Sequence, residues 1–401
     1  MANDLNQTPS ANRVHIGFFG LRNAGKSSLV NAVTGQSLSI VSDVKGTTTD
    51  PVQKAMELLP LGPVVILDTP GLDDEGDLGT LRVRRAYQAL NKTDVAVLVV
   101  DGTLGLQPED RAILERIRAK NIPYLVVYNK SDLAETTVKE TYEMAVSARE
   151  GFNIHALKER IAALAKQQGP EKHILGDLLD PGDLVILVTP IDGSAPKGRM
   201  ILPQVQAIRD VMDAHAACIV TQPEELTAQL TVLKSPPKLV VTDSQAFSQV
   251  KDMVPDSVPL TSFSILFARY KGILETAVRG AAHLRLLKDG DTVLISEGCT
   301  HHRQCNDIGT VKFPGWLEAF TGRNLNYAFT SGTEFPEDLS PYALVIHCGG
   351  CMLNEREMVY RMKNAEDQGI PFTNYGTAIA HMNGILRRSL EVFPELAEAL
   401  A

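Results

Sequence analysis

The sequence predicts an α/β protein made of three successive α/β units: 1–170, 171–266 and 267–401. Three observations carry this. Apolar runs of strand length alternate with helical patterns, a glycine-rich loop separates the first run from the first helical pattern, and Pro/Gly-punctuated stretches break the rhythm between 167 and 183. In the first unit the strands fall at 14–19, 64–67, 95–100 and 124–128. In the second, strands at 184–188, 218–220 and 238–242 are separated by helices at 205–215 and 223–233. So small a parallel sheet leaves open edges, and pairing with a second copy covers them, which makes this unit the expected dimerisation domain. The third unit has strands at 291–296, 325–329 and 343–346 with helices at 316–321 and 355–368. The units look alike in architecture, and no internal sequence repeat is evident.

Composition sets limits on function. The chain has 401 residues, 44% apolar and 22% charged, enough for several cores and too apolar for disorder. Asp and Glu number 48 against 39 Lys and Arg, and no third of the chain is net basic. Nucleic acid is therefore disfavoured as the main partner. No apolar run approaches the roughly 18–20 residues that span a bilayer, so no membrane partner is expected. The first ten residues lack a basic stretch followed by an apolar one, so the expected location is cytoplasmic. Five cysteines in a chain of this length do not make a disulfide framework, and four of them, Cys299, Cys305, Cys348 and Cys351, lie in the last third.

The run Gly20-Leu21-Arg22-Asn23-Ala24-Gly25-Lys26-Ser27 fits a phosphate-binding loop between a strand and a helix. Glycines let backbone N–H groups encircle phosphates, Lys26 supplies positive charge to the β and γ oxygens, and the Ser27 hydroxyl can ligate Mg²⁺. Asp68-Thr69-Pro70-Gly71 closes a strand, where Asp68 can hold the Mg²⁺ shell and the Gly71 N–H can meet a γ-phosphate. Asn129-Lys130-Ser131-Asp132 closes another, and Ser147-Ala148 falls where a base-contacting loop would lie. The Asp132 carboxylate can accept from guanine N1–H and the 2-amino group, a donor pair adenine lacks, so the nucleotide is GTP.

These motifs resemble those of TrmE/Era-like GTPases, the tRNA-modification and ribosome-assembly branch of the translation-factor-related small GTPases. The resemblance implies phosphate-loop contacts through Asn23, Ala24, Gly25, Lys26, Ser27 and Ser28. It also makes Thr48, in Gly46-Thr47-Thr48-Thr49-Asp50, the residue that senses the γ-phosphate and Mg²⁺. Leu72 stands where many GTPases carry a water-orienting glutamine, and a leucine cannot orient water. In the resembling branch a K⁺ ion supplies transition-state charge, held partly by an asparagine at the place of Asn23.

Cys299-Thr300-His301 and His347-Cys348-Gly349-Gly350-Cys351 both follow predicted strands, at the sheet edge where open α/β sheets bind ligands. The residues alone fit an iron-sulfur cluster, a structural zinc or a thiol redox pair. His302 and Cys305 lie beside the motif, with Cys305 expected not to be a ligand, and Cys218 reads as a small buried hydrophobe. Over the whole chain, a GTPase, a small α/β segment and this Cys/His pattern resemble the HydF family of FeFe-hydrogenase maturation GTPases. That resemblance implies a 4Fe-4S cluster on Cys299, Cys348 and Cys351, with His301 and His347 at the family's histidine positions and a labile or non-cysteine fourth ligand. It implies a homodimeric scaffold that receives a di-iron H-cluster precursor from two radical S-adenosylmethionine maturases, HydE and HydG, and delivers it to the FeFe-hydrogenase apoprotein. Two other readings share parts of the pattern. One is a GTPase of tRNA modification or ribosome assembly with a zinc-stabilised C-terminal domain, and the other is a redox protein under nucleotide control.

Overall fold

The computed structural model describes residues 9–35, 52–69, 86–134, 138, 140–166, 172–191, 200–298, 308–332 and 334–398. They divide into two compact units, 1–170 and 171–401. No helix among the described residues is long and apolar enough to cross a membrane.

The first unit is one six-stranded sheet built from β1 (Val14–Phe19), β2 (Val52–Leu58), β3 (Gly62–Asp68), β4 (Val95–Asp101), β5 (Tyr124–Asn129) and β6 (Glu143–Ala145). The strand order is β2-β3-β1-β4-β5-β6, with only β2 antiparallel. Every residue of 95–100 is buried, as a central strand covered on both faces requires. The edge strands β2 and β6 escape the sequence reading because one is largely exposed and the other has three residues. Register aligns Phe18 with Asp68, and Asp101 with Asn129, so the chain leaves β1, β3 and β5 at one edge.

The second unit holds two four-stranded, all-parallel sheets. One contains β7 (Leu184–Val188), β8 (Ala217–Thr221), β9 (Leu239–Thr242) and β10 (Leu260–Ser262). The other contains β11 (Thr292–Glu297), β12 (Asn326–Ser331), β13 (Leu344–His347) and β14 (Phe372–Asn374). The orders are β10-β9-β7-β8 and β12-β11-β13-β14, so each sheet places its first strand between its second and third, with the fourth beyond the third.

This shared order extends to detail, and it corrects the expectation of no internal repeat. Gly182 and Gly290 open the two copies with φ of 89° and 85°. Their N–H groups donate to His215 O and Asn324 O, each at 2.9 Å. Asp183 and Asp291 each accept from the backbone N–H three residues back, at 2.9 and 2.8 Å. Ser262 and Asn374 cap the helices that follow the fourth strands, and Gly272 and Gly384 end the turns after them with φ of 70° and 72°. Around those helices Pro259, Thr261, Ala268, Gly272, Ile273 and Leu274 recur 112 positions later as Pro371, Thr373, Ala380, Gly384, Ile385 and Leu386.

The copies pack reciprocally. Helices Phe263–Tyr270 and Tyr375–Met382 lie against each other, and Asn374 Nδ2 donates to Ser264 O at 3.1 Å. The helix Leu274–Ala281, which follows the first copy, packs on β14, while Leu386–Ser389, which follows the second, packs on β10. One continuous core runs from Ile174 to Phe393 through both sheets. Gly280 is fixed by this arrangement, since a Cβ there would lie 2.0 Å from Phe372 O and 2.5 Å from its carbonyl carbon, both backbone. Gly280→Ala is therefore expected to destabilise the second unit by about 1–3 kcal/mol or more. Urea unfolding followed by the fluorescence of Trp316, the only tryptophan, measures this, and an unchanged midpoint would refute the close approach.

Candidate functional site

The loop after β1 turns sharply to reach the helix Lys26–Thr34. Gly20, Asn23 and Gly25 have φ of 141°, 62° and 88°, the run of left-handed residues that aims successive N–H groups inward. Two of these positions also exclude side chains: a Cβ on Gly20 would lie 2.1 Å from Val99 O, and one on Gly25 would lie 2.2 Å from Asn129 Nδ2. Lys26 is buried at the start of the helix, and its ammonium donates to Gly20 O and Leu21 O, each at 2.9 Å. Asn23, Ser27 and Ser28 are exposed, while Ala24 is buried.

Asn129 ties the phosphate loop to the base loop. Its Nδ2 donates to Ala24 O at 3.1 Å, and its Oδ1 accepts from Ala148 N at 3.0 Å. Lys130 pairs with Asp101, and Ser147 Oγ donates to Asp132 Oδ1 at 2.6 Å, a bond that holds the Asp132 carboxyl below its usual range. Asp68 lies across the loop. Burial pushes its carboxyl up while Lys26 and Ser27 pull it down, and Ser27 Oγ donates to its Oδ2 at 3.4 Å. Its buried Oδ1 has no hydrogen-bond partner among the described residues. A carboxylate oxygen without a partner among the described residues, beside the exposed Ser27 hydroxyl, fits a hard divalent cation such as Mg²⁺. The structure thus brings together the phosphate-loop residues, Asp68, Asn129, Lys130, Asp132, Ser147 and Ala148. Thr48, Gly71 and Leu72 lie outside the described residues.

In the second unit, β11 and β13 are neighbours, with Ser296 opposite His347. Cys348 directly follows β13, and its Sγ accepts from Gly298 N at 3.1 Å and Gly350 N at 3.4 Å. Gly298 is the residue before Cys299. Gly350 has φ of 63°, and a Cβ there would lie 2.5 Å from Met358 Sδ, so the turn to Cys351 demands glycine. Burial pushes the Cys351 thiol up, opposed by the Lys271 ammonium and by the backbone N–H groups of Cys351 and Met352. Sulfurs that receive backbone N–H groups are suited to bind metal as thiolates. Cys299, His301, His302 and Cys305 lie outside the described residues. Among the described residues no group of three or more metal-ligating side chains comes together. Cys218 lies on β8, half-buried against the core.

His347, expected among the metal residues, is engaged within the protein in this structure. It is fully buried, Nδ1 lies 2.9 Å from Cys348 O, and Nε2 lies 3.1 Å from Arg361 Nη1. A guanidinium only donates, so Nε2 accepts and the proton sits on Nδ1, facing the Cys348 carbonyl. Burial first, and then Arg361, hold the imidazole neutral, with its pKa lowered to about 3. Both ring nitrogens are engaged within the protein. Arg361 is itself fully buried, paired with Glu357 at 2.9 Å and donating to Gly332 O at 2.7 Å. The sequence reading missed this brace, although it leaves a sign. Arg361 shares the buried stripe of the helix Glu355–Asp367 with Met358, Met362 and Ala365, where an arginine is costly unless paired.

Comparison with known proteins follows the same division. The chain matches the model of 50S ribosome-binding GTPases over residues 15–130, that of the hydrogen maturase F dimerization domain over 174–272, and that of the hydrogen maturase F tetramerization domain over 275–392. It is 36% identical over 162 residues to the tRNA modification GTPase MnmE of Laribacter hongkongensis, covering 39% of this chain and 36% of that one. It is 30% identical over 184 residues to the GTPase Der of Kosmotoga olearia, covering 41% of each. The chain thus spans less than half the length of these relatives. A solved structure of a probable GTP-binding protein, engB, is 24% identical with a TM-score of 0.32, covering 39% of this chain and all of that one. Two maturase domain matches, directly following a GTPase match, span more than half the sequence and place the chain in the HydF, or hydrogen maturase F, family.

Proposed function

We propose that this chain is a GTP-hydrolysing scaffold of FeFe-hydrogenase maturation, oligomeric through its second unit. The observation that carries the reading is the presence, in one chain of this family, of a formed phosphate loop and of a glycine-spaced cysteine loop whose Cys348 sulfur takes two backbone N–H groups. In the first unit Lys26 and the loop N–H groups hold the β and γ phosphates, Ser27 and Asp68 hold Mg²⁺, and Asp132 selects guanine. Thr48 and Gly71 sense the γ-phosphate. With Leu72 unable to orient water, Asn23 helps to hold K⁺, whose charge assists hydrolysis. In the second unit Cys348, Cys351 and Cys299, which is next in sequence to Gly298, would hold a 4Fe-4S cluster with a labile or non-cysteine fourth ligand, and His301 lies two residues past Cys299. Such a cluster supplies an exchangeable iron position at which a metal cargo can dock. His347 supports Cys348 through its carbonyl instead of ligating. The cargo, a di-iron precursor, would come from HydE and HydG and go to the FeFe-hydrogenase apoprotein. The MnmE and Der likeness lies in the GTPase portion and bears on hydrolysis.

Two experiments follow. Asn23→Ala should keep GTP binding and lose the preference for K⁺ over Na⁺ in steady-state hydrolysis, and K⁺ stimulation equal to that of the parent protein would count against the mechanism. Anaerobically reconstituted Cys299→Ser, Cys348→Ser and Cys351→Ser should each lose most iron and the paramagnetic resonance signal of a reduced cluster, and should fail to activate apo-hydrogenase. Cys305→Ser should keep all three. A protein that purifies with zinc and takes up no iron would overturn the cluster reading.

A further inference from the structure

The nucleotide unit contains an ion pair that neither hydrolysis nor base selection has yet used. β4 ends at Asp101 and β5 at Asn129, and register sets the two residues side by side, with Gly102 N donating to Asn129 O at 2.8 Å. The two oxygens of the Asp101 carboxylate take different partners. Oδ1 accepts from Thr103 N at 2.9 Å and from Thr103 Oγ1 at 2.6 Å, while Oδ2 accepts from Lys130 Nζ at 2.5 Å. The turn that carries Asp101 is closed by Leu104 N and Gly105 N, which donate to its carbonyl at 3.1 and 2.9 Å. Burial pushes the carboxyl up, but Lys130 and Thr103 outweigh that effect and hold it below its usual range, so Oδ2 meets the ammonium as an anion.

Lys130 is held at its backbone as well. Its φ of 64° lies in the left-handed region, which side chains other than glycine rarely enter unless neighbouring contacts fix them there. Those contacts are Ser131 N to Val146 O at 3.1 Å and Leu133 N to Lys130 O at 2.9 Å. A lysine with its head tied can cover an apolar surface with its four-carbon stem. Asp132 reads the edge of guanine, which leaves the flat faces of the ring to be covered, and Lys130 stands two residues before it. A free lysine stem would lose rotamer freedom on meeting a ring, whereas a tethered one has already lost it.

We propose that Asp101 is a positioning residue of the nucleotide site, anchoring the Lys130 ammonium so that the lysine stem stands ready as a wall against the face of the purine ring. The inference rests on the GTP reading above and extends it to a strand end outside the phosphate loop and the base-reading segments. A wall acts on the ring face, so it serves GTP, GDP and inosine triphosphate alike. Asp132 acts on the ring edge and separates nucleotides by their base.

The test measures Kd for GTP, GDP and inosine triphosphate on the full chain, comparing the parent with Asp101→Asn, Lys130→Met and the double variant. The asparagine keeps an acceptor for Thr103 but can turn an amide donor toward Lys130, and the methionine keeps an apolar stem without the charge. Asp101→Asn should raise Kd for all three nucleotides by about tenfold, as losing a charged hydrogen bond implies. The ratio of the GTP and inosine triphosphate values should stay at the parent's, because Asp132 is undisturbed. In the Lys130→Met background, Asp101→Asn should add no further loss. Parental Kd values in Asp101→Asn, a changed ratio, or losses that add in the double variant would overturn the proposal. Should Asp101→Asn not fold, Asp101→Ser is read by the same criteria. A parent protein that binds no guanine nucleotide would instead show that the GTP reading has failed, so the two failures are read on different samples.

Discussion

Each sheet in this protein has its first strand in the interior, flanked by later strands on opposite sides: β1 by β3 and β4, β7 by β8 and β9, β11 by β12 and β13. With parallel strands, connections that leave such a strand and its neighbour go to opposite faces, and a crevice opens at their C-terminal ends. The chemistry of the molecule follows from that constraint. In the first sheet the crevice receives the phosphate loop after Phe19 and the carboxylate of Asp68. In the last, it receives Gly298 and Cys348, which directly follow the adjacent strands β11 and β13. The middle sheet has the same crevice with Asp243 at the place of Cys348.

Reciprocal packing of the two copies gives the cysteine loop support from both. Ser264, 3.4 Å from where a Gly349 Cβ would lie, and Lys271 come from the first copy. Met358, Arg361 and Glu357 come from the second. The guanidinium of Arg361 gathers His347, Ser296 and Gly332, from three neighbouring strands or their ends, so the backbone that presents Cys348 is held from beneath. A loop braced in this way is held to one shape by both copies.

The sequence made the phosphate loop legible because its chemistry needs fixed residue types at fixed spacing. The same holds for Asp68, Asn129 and Asp132, which the fold gathers at one edge. The fourth strands β10 and β14 were not legible: each has three residues, and what marks them is the capping Ser262 or Asn374 that follows. The duplication was hidden for a related reason. Its matches sit at turn glycines, prolines and caps, whereas the strands between them keep apolar character without keeping identity, since a core fixes volume and pattern more than residue type. The setting of His347 was not legible because spacing shows where a side chain starts but not which partner reaches it, and here an arginine 14 residues later does.

The central claim is that the last sheet's crevice is the metal site, and anomalous diffraction at the iron edge on anaerobically reconstituted crystals tests it most directly. The account predicts iron peaks within bonding distance of the Cys348 and Cys351 sulfurs, with no peak at His347 Nε2. Iron density located elsewhere, or a signal at this loop only at the zinc edge, would contradict it.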